Sequence, residues 1–274
     1  MGRLTGKVAF ITGIARGQGR SHAMRLAEEG ASIVGVDLCE QMESVGYPMA
    51  TPDDLAETVK LVEERDARIV VSQADVRDPG ALRSAVESGV AELGRLDIVI
   101  ANAGIFPGIG EVASTPAAFD DVVSVNLAGV YHTIEAALPQ LLSQGEGGSI
   151  VLTSSVAGLT GRLNIAGNAG MMGYVAAKHG VVGLMRAYAS QLAPHSIRVN
   201  SVHPGAVNTP MIVNPEFGAL AAQYPDELSK LAHAMPVEML EAVDISNAIV
   251  WLCSDEGRYV TGVPLPVDAG FMTL

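Results

Sequence analysis

A short apolar strand, a glycine-rich turn and a helix open this chain, and that order admits few folds. Residues 7–12 (Lys-Val-Ala-Phe-Ile-Thr) form a short, continuous run, β-branched at its ends, the pattern of a buried strand. Gly13, Arg16, Gly17, Gln18 and Gly19 lie in the turn that follows, and a helix is predicted over 21–29, closed by Gly30. Glycines between a strand and a helix let the backbone approach a pyrophosphate, whose charge meets the positive helix N-terminus. A second strand over 32–37 ends in Asp37. A carboxylate there can accept both ribose hydroxyls of an adenosine and would repel a 2′-phosphate. Arg16 is a counter-signal, since a base in the turn could reach such a phosphate, but Leu38 offers no second base. The balance predicts NAD rather than NADP.

Strand and helix alternate through the rest of the chain. A long link over 39–52 leads to a helix at 53–66, a strand at 68–73 and the pair Asp75-Val76. The Asp75 carboxylate could meet an adenine amino group or simply close the turn. A helix over 79–93 starts with Asp78 as cap and Pro79 in the first position. A strand at 96–101 precedes Asn102, Ala103 and Gly104, small residues that suit backbone passing close to a ligand. One or two helices follow within 116–143, containing Asn126, and a strand at 149–153 delivers Ser154 and Ser155 at its carboxyl end. Further elements are a helix over 174–193, a strand at 197–202, a helix at 243–253 and a strand at 262–268. This implies one α/β domain over 1–274: a Rossmann-type, doubly wound, mostly parallel sheet with helices on both faces. Residues 204–240 are long for a connection and rich in Pro, Met and Ala, so they read as a substrate lid.

Charge and cysteine use exclude several roles. The formal charge of −13 repels phosphate backbones and anionic membranes, so neither nucleic acid nor membrane is an expected partner. No apolar run reaches membrane-spanning length, and residues 1–12 carry no signal-peptide pattern. Cys39 and Cys253 make no framework and read as reduced thiols of a cytoplasmic protein. The histidines at 22, 132, 179, 195, 203 and 233 show no metal-ligand spacing, so no metal is expected.

The chemistry concentrates on Tyr174 and Lys178. Four positions apart in a Pro-free run, they share a helix face a turn apart. A free Tyr titrates near pH ~10. A neighbouring ammonium favours the phenolate and brings it into range for proton transfer.

Together these residues resemble the short-chain dehydrogenase/reductase family, over essentially the full chain. The resemblance rests on Thr12-Gly13-x-x-x-Gly17-x-Gly19, Asp75, Asn102-Ala103-Gly104, Asn126, Ser155, Tyr174-x-x-x-Lys178 and Pro204-Gly205. It implies an NAD-dependent enzyme acting on an alcohol or ketone. Tyr174 would be the general acid/base, and Lys178 would lower its pKa and hold the nicotinamide ribose. Ser155, the second of the two serines, would steady the substrate oxygen, and Asn126 would hold a water relaying protons to Lys178. Pro204, Gly205, Val207 and Thr209 would border the nicotinamide, with Thr209 on its carboxamide. A homotetramer is also implied.

Two departures narrow the resemblance. Ser155 and Tyr174 stand 19 positions apart, a wide gap whose extra residues, around 162–172, fall between two catalytic groups and should shape the pocket. The link over 39–52 lies beside the expected adenosine site. With the openings at 13–22 and 47–52, these features are similar to the carveol-dehydrogenase-like subfamily associated with mycofactocin. That resemblance implies NAD held without exchange, electrons passed to a mycofactocin-type redox carrier, and a hydrophobic secondary alcohol of the cyclic terpenoid kind as substrate. Ile105, Phe106, Leu159, Met171, Met172 and Met211 are the apolar pocket candidates. The competing readings are an NADPH-dependent carbonyl reductase, which Asp37 opposes, and a non-catalytic NAD-binding sensor, which could dispense with Tyr174 and Lys178.

Overall fold

The protein is described by a computed structural model covering residues 2–108, 110–162, 166–229 and 231–274. Among the described residues the strands are β1 Val8–Thr12, β2 Ser32–Asp37, β3 Ile69–Gln73, β4 Ile98–Ala101, β5 Gly148–Thr153, β6 Ile197–Pro204 and β7 Pro264–Val267. They form one parallel sheet in the order β3-β2-β1-β4-β5-β6-β7. The helices are α1 Gly17–Glu28, α2 Pro52–Glu63, α3 Pro79–Leu93, α4 Gly110–Ala113, α5 Pro116–Val123, α6 Gly129–Gln144, α7 Ala169–Leu192, α8 Pro215–Gln223, α9 Pro225–Ser229 and α10 Ala242–Cys253.

The strands are apolar on both sides because both faces are covered. Phe10, Val34, Val99 and Leu152 pack on one face against Leu82 of α3, Ile134 of α6 and Met185 of α7. Ile11, Ile33, Ile100 and Val151 alternate with them and pack on the other face against Leu26 of α1, Leu55 of α2 and Ile249 of α10. Strand order reverses between β1 and β4, so the loops after these strands part and leave a crevice at their carboxyl ends.

Local chemistry sets the helix starts. Thr51 and Asp54 form a capping box at α2, and Asp78 caps α3 ahead of Pro79, as its sequence suggests. Three elements differ from expectation. Helix α1 begins at Gly17 rather than at 21, because the last two glycines of the turn form its first coil. Helix α7 begins at Ala169 rather than 174, because Asn168 caps it by accepting from Met171 N. Helices α5 and α6 run through a π-helical turn, Ser124–Ala128, which carries Asn126.

The 39–52 link is a folded strap. The Gln41 amide donates to Val45 O at 2.6 Å and its oxygen accepts from Met49 N at 3.0 Å, closing the segment on itself. Met42, Val45 and Tyr47 bury their side chains in the α3/α6/α7-side core. Among the described residues, no helix is long and apolar enough to cross a membrane.

Candidate active site

The carboxyl ends of β1, β2, β4, β5 and β6 converge on a cleft of about 190 Å³. Gly13, Arg16, Gly17, Gln18, Gly19, Asp37, Leu38, Asp75, Val76, Asn102, Ala103, Gly104, Tyr174, Lys178, Pro204, Gly205, Val207 and Thr209 all border it, every cofactor-site residue expected from the sequence.

The glycine turn fits a close-lying dinucleotide. A Cβ at Gly19 would stand 1.9 Å from Gly13 O, and one at Gly13, where φ is +69°, would stand 2.8 Å from Ala103 Cα. The Arg16 side chain leaves the N-terminus of α1 uncapped, so its first N–H groups face the cleft. Gln18 Oε1 is buried there with no partner among the described residues. At the adenosine end the Asp37 carboxylate accepts from Ala15 N at 2.9 Å and Cys39 N at 3.2 Å. Burial pushes its pKa up, against the pull of those N–H groups and of Arg16. Arg16 donates to Pro48 O at 2.7 Å, which ties it to the strap. Asp75 is held by the Arg77 guanidinium at 2.6 Å. Burial raises and Arg77 lowers the pKa of Asp75, and the net shift is downward. Asn102 works as a staple: its amide donates to Thr12 O at 3.1 Å and its backbone N to Thr12 Oγ1 at 3.1 Å, joining the β1 and β4 loops.

The neighbouring serines part company. Ser154 Oγ donates to the Lys178 carbonyl at 2.9 Å, fastening β5 to α7. Ser155 Oγ accepts from Ala157 N at 3.1 Å and lies against the Tyr174 phenol, whose pKa it lowers. Lys178 Nζ donates to Thr153 O at 2.7 Å and stands 5.5 Å from the Tyr174 ring centroid. The expected depression of the Tyr174 pKa by Lys178 is not realised in this geometry. Burial pushes the phenol up to about 12, opposed by Ser155 and reinforced by Tyr47. Burial pulls Lys178 down to about 8. Asn126 lies behind the cleft: its carboxamide bonds both ways with Ile105, accepting from N at 2.9 Å and donating to O at 2.8 Å. No hydrogen bond joins it to Lys178 among the described residues.

Ser155 and Tyr174 also border a second cavity, a chamber of about 850 Å³ between the sheet and helices α8 and α9. Of the apolar pocket candidates, Phe106 and Met211 line this chamber, and the Phe106 ring meets Tyr174 edge-on at 4.8 Å. Ile105 borders the cleft, Met171 is buried behind Phe106, and Leu159 packs on the core. Met172 is corrected: it is 51% exposed on the outer side of α7. Within the 162–172 stretch, residues 163–165 lie outside the described residues. Arg162 donates to Phe271 O at 2.9 Å and Leu274 O at 3.0 Å, with its guanidinium 4.7 Å above the Phe271 ring, a wall of the chamber. Burial pushes the Cys39 thiol up to about 11, so it is no nucleophile.

Sequence reasoning missed several residues. Tyr47, Met42 and Met49 of the strap line the cleft. Buried His203 donates through Nδ1 to the Ser155 carbonyl at 2.7 Å and accepts at Nε2 from Ser201 Oγ at 2.8 Å. Burial pulls it down to about 4, so it is neutral. The signal for Tyr47 was only a lone aromatic inside a link without periodicity; for His203 there was none.

A family model described as Enoyl-(Acyl carrier protein) reductase matches residues 13–272. A Mycobacterium tuberculosis (strain CDC 1551 / Oshkosh) protein, named as an uncharacterized oxidoreductase, is 56% identical over 98% of this chain and 97% of its own. The (-)-trans-carveol dehydrogenase of Rhodococcus erythropolis is 47% identical over 98% of this chain and 99% of its own. The crystal structure of carveol dehydrogenase from Mycobacterium avium in complex with NAD superposes with a TM-score of 0.91 at 51% identity, covering all of both chains.

Proposed function

The chain belongs to the short-chain dehydrogenase/reductase family and is an NAD-dependent oxidoreductase, and we propose that it interconverts a hydrophobic secondary alcohol, of the carveol-like cyclic terpenoid kind, with its ketone. One observation carries this reading: Ser155 and Tyr174 border both the cleft and the chamber. A dinucleotide in the first and an alcohol in the second would meet at those two hydroxyls.

NAD, when bound, supplies the hydride acceptor and, oxidised, a fixed positive charge. Tyr174 takes the alcohol's hydroxyl proton as general base and returns it in the reverse direction. Ser155 donates to the substrate oxygen and steadies its developing charge. Lys178, with its pKa near 8, is mostly protonated at neutrality and holds the nicotinamide ribose. Burial holds the phenol up at about 12, and the added positive charge of oxidised nicotinamide would pull it down. Asn126, pinned by Ile105, orders a water on the proton path to Lys178. Gly13, Gln18 and Gly19 would hold the pyrophosphate, Asp37, Asp75 and Val76 the adenosine, and Gly205, Val207 and Thr209 the nicotinamide. Residues 204–240 are the substrate lid of a single domain.

The strap supports a resident cofactor: it lies along the cleft, anchored by Arg16 and by its own bonds, and slows exchange. Electrons then leave to a mycofactocin-type redox carrier. Exposed Tyr131 and Leu142 on α6, with Val243 and Trp251 on α10, suit contacts in a homotetramer. The two reduced thiols suit the cytoplasm.

The test is to denature the protein as purified, identify any released nucleotide by mass, and assay cyclic secondary alcohols with an artificial electron acceptor. Stoichiometric NAD and turnover of such alcohols support the reading. An empty site that turns over only with added NAD removes the resident cofactor, and no turnover of any secondary alcohol removes the substrate class.

A further inference from the structure

Tyr47 is a buried side chain of the strap, 4% exposed, and it borders the cleft. Its hydroxyl oxygen accepts from Phe106 N at 3.1 Å, on the loop whose Phe106 ring abuts Tyr174. That is its only hydrogen bond among the described residues, so the hydroxyl proton has no acceptor among them. A phenol donates along a direction different from those in which it accepts, so the bond from Phe106 leaves the donor free to turn into the cleft. Burial holds the group well above the ordinary tyrosine range, up to about 12, so the proton stays on. The ring cannot easily swing away. Arg16 fixes Pro48 on one side, and on the other Gly46 lies under Glu216 of α8, where a Cβ would come 1.8 Å from Glu216 Oε1. A buried donor without an acceptor is destabilising, and an oxygen of a bound ligand would relieve that.

We infer that Tyr47 is a cofactor ligand supplied by the strap, donating its hydroxyl proton to an oxygen in the nicotinamide half of the bound dinucleotide. The inference rests on the NAD reading above and adds a contact from a segment outside the glycine turn. It makes strap closure and cofactor retention one event, because the group that seals the cleft also binds its contents. The contact falls in the nicotinamide half because Tyr47 is bonded to Phe106, beside Tyr174. The adenosine half is bordered by Asp37 and Leu38.

The experiment compares Tyr47→Phe with the wild type for binding of NAD and of AMP, both added to stripped protein. Expected is at least about a tenfold loss of NAD affinity, equivalent to about 1.4 kcal/mol, with AMP affinity unchanged within about twofold. Tyr188→Phe, a buried tyrosine distant from the site that donates to Glu135, is the control and changes neither. Unchanged NAD affinity in Tyr47→Phe overturns the inference. Equal losses for NAD and AMP also overturn it, since a merely loosened strap, which also lines the cleft through Met42 and Met49, would weaken both. A wild type that binds no NAD overturns the underlying reading instead. A mutant-free version follows amide exchange over 45–49 in the wild type: slowing by NAD but not by AMP is expected, and equal slowing contradicts the inference.

Discussion

Lys178 Nζ donates to the Thr153 backbone carbonyl at 2.7 Å, and through that bond α7 is tied to the tip of β5. The helix that carries Tyr174 and the strand that delivers Ser155 are thereby held as one unit. Ser154 adds a second tie, from its hydroxyl to the Lys178 carbonyl at 2.9 Å. The catalytic geometry is thus set by two bonds between groups 24 or 25 positions apart in the chain.

The two serines should separate cleanly by mutation. Ser155→Ala removes the hydroxyl at the junction of cleft and chamber, and kcat should fall about 10²–10³-fold with NAD binding retained. Ser154→Ala removes a buried hydrogen bond and should lower unfolding stability by about 1 kcal/mol with a much smaller kcat loss. Steady-state kinetics and urea unfolding of both variants check this.

Asp37→Ala should weaken NAD by about 1.5–3 kcal/mol, on the scale of hydrogen bonds to a charged group, and narrow the preference for NAD over NADP. Titration of stripped protein with each dinucleotide measures both effects.

Arg162→Ala should leave the chemistry intact and loosen the Phe271 wall that its guanidinium covers. KM for a bulky cyclic alcohol should rise about three- to tenfold, consistent with a cation–π contact of about 0.5–1 kcal/mol plus one hydrogen bond. The kcat should change less than KM.

Two buried histidines predict an acid-labile fold. His22 is pulled down to about 3 and His203 to about 4, both by burial. Their ordinary value is near ~6.5. Below that value the unfolded chain takes up protons that the folded chain refuses. Stability is therefore full above about pH 6.5 and declines as pH falls toward 4, by up to about 1.4 kcal/mol per pH unit for each histidine. Urea unfolding across pH 4–7 should show the decline, and His203→Gln should reduce its slope by about one proton.

Much of this is legible in the sequence. The β1 run and the Gly13–Gly19 turn announced the crevice, because buried parallel strands are apolar throughout and pyrophosphate cradles need bare backbone. Tyr174 and Lys178 share a helix face by their spacing, but their role was legible only in company with the glycine turn, Asn126 and Ser155. The start of α1 was missed by four residues, since Gly17 and Gly19 carry no helical signal; Gly19 is there because any side chain would strike Gly13 O. The start of α7 was missed for a similar reason, its first coil being Ala169 and Gly170 behind a capping Asn168. The strap read as a link because its order comes from Gln41 and from burial of Tyr47, not from periodicity. The tie from His203 of β6 to the Ser155 carbonyl, just past the end of β5, joins groups 48 positions apart, and no local pattern encodes it.

The most direct test of the central claim is a single turnover. Wild-type and Tyr174→Phe protein, each loaded with one equivalent of NAD⁺, are mixed with a cyclic secondary alcohol while the absorbance of reduced nicotinamide is followed. The account predicts stoichiometric reduction in the wild type and at least about a 10²-fold slower rate in Tyr174→Phe, with NAD⁺ bound equally by both. Reduction at the wild-type rate in Tyr174→Phe would contradict it.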